Sequence, residues 1–192
     1  MANGKSLMSS RMHGSEQALA ALALRRMEMP DACVLVGGLG MGFTLRATLD
    51  LVPRDATVVV AELVPAVVEW NRGALGTLAG HPLRDPRVRV EMGDVADTLQ
   101  SSPERFDAVL LDVDNGPDAF TAATNARLYN DAGLAAARTA LKPGGVLAVW
   151  SAWEDRRFEQ RLRYAGFVVH IERVRGRLKK GGPKHTIFLA RK

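Results

Sequence analysis

Uninterrupted apolar runs recur along the chain, and most of them are followed by a segment with helical periodicity. The first run, Cys33-Val34-Leu35-Val36, contains no polar residue, which is typical of a strand that is buried on both faces. Runs of this kind, bounded by turn residues, predict seven strands. These strands cover residues 33–36, 57–61, 88–91, 107–113, 146–150, 167–171 and 186–190.

Apolar residues at helical spacing connect the predicted strands. Ahead of the first strand they predict a helix that Ser15 caps and that ends near Pro30. Further helices are predicted from Phe43, from Pro65, in the alanine-rich stretch that ends near Leu141, and over residues 155–164. This alternation predicts an α/β fold: a mostly parallel seven-stranded sheet with helices on both faces and an antiparallel C-terminal strand.

Length and composition fit one domain. A chain of 192 residues, 47% of them hydrophobic and 24% charged, can bury a sufficient core without a disulfide or a structural metal. We predict a single domain over residues 1–192, with an N-terminal segment and helix in residues 1–30 and the sheet in residues 31–192. The single cysteine excludes an intramolecular disulfide, and the four histidines lack metal-ligand spacing, so no metal site is predicted.

Charge and hydropathy bear on location and partners. The sequence has no apolar stretch of about 18 residues and no signal-peptide pattern, so we expect a cytoplasmic protein without a membrane segment. Much of the net charge of +5 comes from one late stretch. It contains Arg173, Arg175, Arg177, Lys179, Lys180 and Lys184. A solvated loop is the simpler interpretation, because no aromatic residues are interleaved for base stacking; nucleic-acid binding through residues 173–184 is the alternative.

Three predicted strand ends carry residues that suit a nucleoside. A glycine loop, Gly37 to Gly42, follows the first strand, Glu62 closes the second, and Gly93-Asp94 closes the third. Glycines let the backbone approach a ligand, and a carboxylate about 20 residues further on accepts hydrogen bonds from ribose hydroxyls. Because parallel strands end at one edge of the sheet, these groups are expected to meet there.

The spacing of the glycines bears on which nucleoside is bound. The loop has the form Gly-x-Gly-x-Gly over Gly38, Gly40 and Gly42, whereas the dinucleotide fingerprint is Gly-x-Gly-x-x-Gly. No Gly-Lys-Ser/Thr follows, so a phosphate-binding loop of the Walker type is excluded as well. A methionine-bearing nucleoside is the better candidate.

In its motifs the chain resembles the spermidine synthase-like branch of the S-adenosylmethionine-dependent methyltransferase superfamily. The resemblance is carried, in order, by residues 37–46, Val60-Ala61-Glu62-Leu63, Gly93-Asp94, residues 106–112 and Asp114-Asn115-Gly116-Pro117. It implies a Rossmann-like methyltransferase fold that binds S-adenosylmethionine or its decarboxylated form.

The resemblance also assigns roles to individual residues. It places Gly38 and Gly40 against the methionine part, Glu62 on the ribose, Asp94 at the adenine amine and Asp112 at the reaction centre. The predicted cofactor-binding residues are Gly37, Gly38, Leu39, Gly40, Gly42, Glu62, Leu63, Gly93, Asp94 and Asp112. Met12-His13 is similar to a family segment that closes over the cofactor, and family members often dimerise, so a homodimer is one hypothesis.

Two departures from the family pattern concern the reaction. Aminopropyl-transferring members carry an aspartate inside the glycine loop and another three residues after the one matching Asp112; this chain has Gly40 and Asn115 there. Losing carboxylates weakens attraction for a cationic amine and removes general-base capacity. We therefore predict, as the main hypothesis, methyl transfer to a small amine or hydroxyl substrate.

Candidate residues for that chemistry cluster after the fourth predicted strand. Asp112, Asp114 and Asn115 are the predicted catalytic residues, although a strand-end Asp and an Asn-Gly pair also occur in plain turns. The predicted substrate-binding residues are Arg11, His13 and Trp150, and packing is the alternative role for Trp150. Arg11 and Arg46 are candidates to neutralise the carboxylate of intact S-adenosylmethionine.

Three alternative hypotheses stay open. The nearest is aminopropyl transfer from decarboxylated S-adenosylmethionine, as in spermidine synthase. Another is RNA methylation guided by the basic stretch, which predicts salt-dependent RNA binding. From a different class comes a non-catalytic cofactor-binding protein, which the missing carboxylates suggest. The sequence does not identify the acceptor or the oligomeric state.

Overall fold

A computed structural model describes residues 13–25, 30–113, 116–117, 126–177 and 182–192. Seven strands form one sheet in the spatial order β3-β2-β1-β4-β5-β7-β6. The strands are β1 (Cys33–Gly37), β2 (Thr57–Glu62), β3 (Val88–Met92), β4 (Phe106–Leu111), β5 (Leu141–Ser151), β6 (Val168–Arg175) and β7 (Lys184–Arg191). Strands β1 to β5 pair in parallel, and β7 runs antiparallel to both β5 and β6, as the sequence predicted.

The strand order reverses at β1, which lies between β2 and β4. Strand β1 pairs with β2 on one side and β4 on the other, so the chain reverses direction across the sheet at this point. Ligands of doubly wound sheets bind outside the carboxyl ends of the strands at such a switch point. The loop after β1 therefore lies where the fold favours a binding site.

Helices cover both faces of the sheet. They are α1 (Gly14–Ala23), α2 (Phe43–Leu51), α3 (Pro65–Arg72), α4 (Val95–Gln100), α5 (Ala126–Tyr129), α6 (Asp131–Ala140) and α7 (Arg156–Tyr164). One apolar cluster joins α1, α2 and α3 to one face, and a second joins α4, α6 and α7 to the other. Along β1, Val34 and Val36 belong to the first cluster and Leu35 to the second, because successive side chains of a strand point to opposite faces.

Local details differ from the sequence predictions at several helix ends. Ser15 was expected to cap α1, but α1 begins at Gly14 with His13 at the cap position, and the Ser15 hydroxyl donates to Glu16 inside the first turn. The alanine-rich stretch holds α5 and α6, which Asn130 separates by accepting a hydrogen bond from the Gly133 amide as the cap of α6. Side-chain capping competes with helix continuation, so one long periodic stretch divides into two helices.

Two short 3-10 helices, Ala74–Ala79 and Pro82–Arg84, connect α3 to β3, a segment for which the sequence predicted only the helix from Pro65. In the described part of the chain no helix is long and apolar enough to cross a membrane. Those same residues include no cluster of three or more His, Cys, Asp or Glu side chains that would hold a metal ion.

Candidate functional site

The glycine loop lies against the end of β4. Gly38 has a φ of 87° and Gly42 a φ of 81°, a region of backbone conformation that favours glycine. A Cβ atom added at Gly38 would lie 2.6 Å from the carbonyl oxygen of Asp112, so this position also excludes a side chain for lack of space. The amide of Gly38 donates to the Ala61 carbonyl over 2.9 Å, which ties the loop to β2.

Glu62 organises the same loop from the end of β2. It is only 8% exposed, and its two carboxylate oxygens accept the Leu39 amide over 2.9 Å and the Val64 amide over 2.8 Å. A carboxylate has about four acceptor positions, so each oxygen keeps capacity for one more donor. Glu62 can therefore hold the loop and accept two ribose hydroxyls at once.

Asn71 fixes the loop from the opposite side, a contact that the sequence analysis missed. The side chain belongs to α3, is 1% exposed, and its amide nitrogen donates to the Gly40 carbonyl over 2.8 Å and to the Val67 carbonyl over 2.9 Å. No periodicity distinguishes a polar residue on this helix that faces a loop from one that faces solvent. We call Gly38, Gly40, Glu62, Asn71 and Asp94 the glycine-loop half of the site.

The end of β3 completes this half. Asp94 is the N-cap of α4, and its Oδ1 accepts the Ala96 amide over 2.9 Å, which leaves Oδ2 for a ligand. Gly93 before it has a φ of 149°, and a Cβ atom added there would meet nothing within 4 Å. The space next to Gly93 is therefore open, and Leu63 is 63% exposed at the neighbouring strand end.

Asp112 lies directly after β4, next to the glycine loop. Its backbone amide donates to the Gly37 carbonyl over 3.0 Å, and its side chain accepts the Thr44 hydroxyl over 2.5 Å. Burial raises the pKa of Asp112 to about 6, and the negative charge of Glu16 adds to the rise, while the hydrogen bond from Thr44 opposes it. With a pKa of about 6, this carboxyl can change its protonation state close to neutral pH.

The first turn of α1 lies beside Asp112 and brings in Glu16, which the sequence analysis did not single out. The His13 ring stacks on Phe43 at the start of α2, with 4.2 Å between ring centroids. Glu16 accepts the Ser15 hydroxyl over 2.6 Å, and its own pKa is raised, chiefly by burial. We call Glu16, Thr44 and Asp112, with His13 beside them, the Asp112 half of the site.

Other predicted residues lie in different places. Trp150 is half-buried, packs on the α1 face of the sheet, and its ring lies 4.7 Å from the His185 ring, a contact that suits packing. Arg46 pairs with Asp50 over 2.5 Å one turn along α2, so part of its guanidinium is engaged within that helix. Arg11, Asp114 and Asn115 lie outside the described residues, and their roles stay predictions.

The late basic stretch is only partly described. Arg173 forms an ion pair with Glu154, whereas Arg175, Arg177 and Lys184 are exposed around the β6–β7 hairpin. Nucleic-acid binding by this hairpin stays a prediction, and so does the homodimer.

Comparison with known proteins finds one matching family and several curated relatives. The family model described as spermine/spermidine synthase domain matches residues 12–161. A polyamine aminopropyltransferase of Mycobacterium tuberculosis is 37% identical over 119 residues, which cover 60% of this chain and 22% of that protein. Another, from Korarchaeum cryptofilum, is 30% identical over 128 residues, or 67% of this chain and 37% of that protein.

The fold has a solved counterpart. The crystal structure of spermidine synthase from Thermotoga maritima superposes with a TM-score of 0.72 at 18% identity, over 93% of this chain and 58% of that one. At this identity the match shows the shared fold alone. The chain spans well under half the length of the two aminopropyltransferases above. With the family match extending from α1 to α7, the chain belongs to the spermine/spermidine synthase domain family.

Proposed function

We propose that this chain is a transferase that moves the aminopropyl group of decarboxylated S-adenosylmethionine to a small amine. The observation that carries the proposal is the family match over residues 12–161, together with curated relatives that are polyamine aminopropyltransferases. On sequence alone, methyl transfer is the main hypothesis because Gly40 and Asn115 stand where aminopropyl-transferring members have aspartates. The comparisons favour aminopropyl transfer instead.

The glycine-loop half would bind the nucleoside of the donor. Glu62 has acceptor capacity left for the two ribose hydroxyls, and Asp94 has a free carboxylate oxygen beside the open space at Gly93. Hydrogen bonds from Glu62 and Asn71 hold the loop in place without a ligand. The loop therefore loses little conformational freedom when the donor binds.

The donor supplies a sulfonium, which makes the attached carbon electrophilic. Transfer forms a bond from the amine nitrogen to that carbon as the carbon–sulfur bond breaks, and the electron pair leaves with sulfur as neutral methylthioadenosine. Because an ammonium has no free electron pair, the acceptor nitrogen must lose a proton before it attacks. Asp112 would orient the amine and accept that proton, since burial brings its pKa to about 6.

The charges near the site support the decarboxylated donor. A site for intact S-adenosylmethionine must compensate the donor carboxylate, and Arg46, one of two arginines considered for that task, is paired with Asp50. Asp112 and Glu16 would repel a further carboxylate. The decarboxylated donor carries an ammonium group without that carboxylate, which suits this surrounding.

Calorimetry and a turnover assay test the proposal together. We expect the purified chain to bind decarboxylated S-adenosylmethionine and methylthioadenosine more tightly than the intact donor, and to form methylthioadenosine when a diamine is added. A Glu62→Ala variant should lose affinity for all three nucleosides. Preference for the intact donor would contradict the proposal, and binding without turnover on any amine would favour a non-catalytic cofactor-binding protein.

A further inference from the structure

The first turn of α1 contacts α2 next to the Thr44–Asp112 hydrogen bond, and it also contacts the end of β6. His13 stacks on Phe43, whose neighbour Thr44 donates to Asp112. The amide of Gly14 donates to the Gly176 carbonyl at the end of β6 over 3.0 Å. Glu16 follows in the same turn, close enough to Asp112 for its charge to raise the pKa of that group.

Neither Glu16 nor Asp112 has a cationic partner among the residues that the structure describes. Each accepts one hydrogen bond from a neutral hydroxyl, Glu16 from Ser15 and Asp112 from Thr44. Burial raises the pKa of both carboxyls, because the charged forms lose hydration that a single hydrogen bond does not replace. Two such groups near each other are costly unless something positive lies between them.

Three other partly or fully buried carboxylates of the described residues are compensated by cations or by backbone amides. Asp107 is 6% exposed and accepts Lys142 over 2.7 Å, and Asp85 pairs with Arg87 over 2.8 Å. Glu62 is compensated by two backbone amides. The Glu16 and Asp112 pair departs from this pattern, and it does so at the carboxyl edge of the sheet beside the glycine loop.

We propose that Glu16 is a substrate-binding residue that holds the ammonium group of the acceptor amine together with Asp112. This inference rests on the proposed aminopropyl transfer. Aminopropyl-transferring members have aspartates where this chain has Gly40 and Asn115. Glu16 would supply negative charge in their place, although it lies far from both positions in the sequence. The acceptor site would then be selective for a cation, because neither carboxylate has a cationic partner among the residues that the structure describes.

Glu16 and Asp112 together would bind the ammonium form of the acceptor and then remove a proton from it. An ammonium between two carboxylates is attracted to both, yet one of them must later accept its proton. Asp112 touches the loop end where the donor would lie, through its backbone contact with Gly37. Glu16 would keep the negative charge of the site while Asp112 takes up the proton.

Binding of a diamine to the chain saturated with methylthioadenosine tests the role of Glu16 directly. The probe is 1,4-diaminobutane, measured by calorimetry. We expect Glu16→Gln to weaken its binding at least tenfold and to raise its KM in the transfer assay similarly. Glu16→Asp should recover part of the loss, since it restores the charge. The matched control Glu69→Gln removes an exposed carboxylate of α3 and should stay within twofold of the wild type.

The outcomes separate this inference from the proposed function. The affinity for methylthioadenosine should be the same in Glu16→Gln as in the wild type, because the nucleoside touches the other half, and thermal melting checks that the variant is folded. Unchanged diamine binding in Glu16→Gln, with an active wild type, would overturn the role of Glu16 and leave aminopropyl transfer standing. A wild type that binds methylthioadenosine but no diamine would overturn the role of Glu16 as well. A wild type that binds no nucleoside would overturn both.

Discussion

The two halves of the site differ in how far their polar side chains are hydrogen-bonded within the protein. In the glycine-loop half, Glu62 and Asn71 each make two hydrogen bonds within the protein, and the loop has one well-supported conformation. In the Asp112 half, Glu16 and Asp112 are partly buried and each accepts one hydrogen bond from a neutral hydroxyl. The first half is held by hydrogen bonds within the protein, and the second has two carboxylates without a cationic partner among the described residues.

This difference follows from what each half would bind. A nucleoside is recognised by hydrogen bonds at fixed positions, so a rigid loop gains affinity by losing little freedom on binding. An amine is recognised by its charge, so unpaired carboxylates gain selectivity at some expense of stability. Variants should accordingly damage the first half through geometry and change the second half through charge.

The largest expected effect is that of Gly38→Ala on the glycine-loop half. Positive φ and the close approach to the Asp112 carbonyl should together cost about 3 kcal/mol of the free energy of unfolding. Gly80→Ala is the matched control, because Gly80 has a φ of 67° with nothing within 4 Å of an added Cβ, and it should cost about 1 kcal/mol. Urea unfolding of both variants measures the difference, and equal losses would contradict the steric argument.

Glu62→Ala is expected to have the second-largest effect, and that effect is on nucleoside affinity. It leaves the Leu39 and Val64 amides without their acceptor and removes the ribose partner. We expect affinity for methylthioadenosine to fall about 100-fold, or about 2.7 kcal/mol. Glu62→Gln, which keeps one oxygen acceptor, should lose less. Calorimetry checks both, and an affinity that Glu62→Ala leaves intact would remove Glu62 from the nucleoside site.

Asp112→Asn should change the pH dependence of stability. Because the folded pKa, about 6, lies above the usual value of 3.8, the folded state loses stability as pH rises between these values. The free energy of unfolding of the variant relative to the wild type should therefore increase from pH 4 to pH 6 by about 2 kcal/mol and then level off. Denaturant titrations at several pH values measure it, and a constant difference would be the contrary result.

Asn71→Ala should have the smallest effect of these four. It removes the hydrogen bond to the Gly40 carbonyl and the one to Val67, while its Oδ1 has no hydrogen-bond partner to lose. We expect a loss of about 1 kcal/mol in stability and a three- to tenfold loss in methylthioadenosine affinity. Diamine binding, measured with saturating nucleoside, should stay near that of the wild type, since the Asp112 half is not touched.

Much of the glycine-loop half could be predicted from sequence because its signals are local. The buried strands are continuous apolar runs, and the loop and the carboxylates follow those strands directly in the chain. The seven strands and the antiparallel C-terminal pair were predicted and are confirmed. The division into α5 and α6 was not foreseen, because one Asn within a periodic stretch is a weak signal for a cap.

The Asp112 half was predictable only in part. Asp112 was expected at a strand end, but Glu16 stands in the first turn of a helix near the start of the chain, where an acidic residue is common for its effect on the helix dipole. Nothing in its spacing relates it to Asp112. Only the packing of α1 across β4 and β5, with His13 on Phe43, brings the two carboxylates together.

The sequence by itself determined the order of elements, the buried strands and the polar residues that end them, because hydrophobic periodicity and glycine conformation act over a few residues. Tertiary structure alone decided which distant groups share a surface. It set Asn71 against the loop, and it left Glu16 and Asp112 together without a described cationic partner. These contacts depend on how helices pack on a sheet, and that packing joins positions that no local pattern relates.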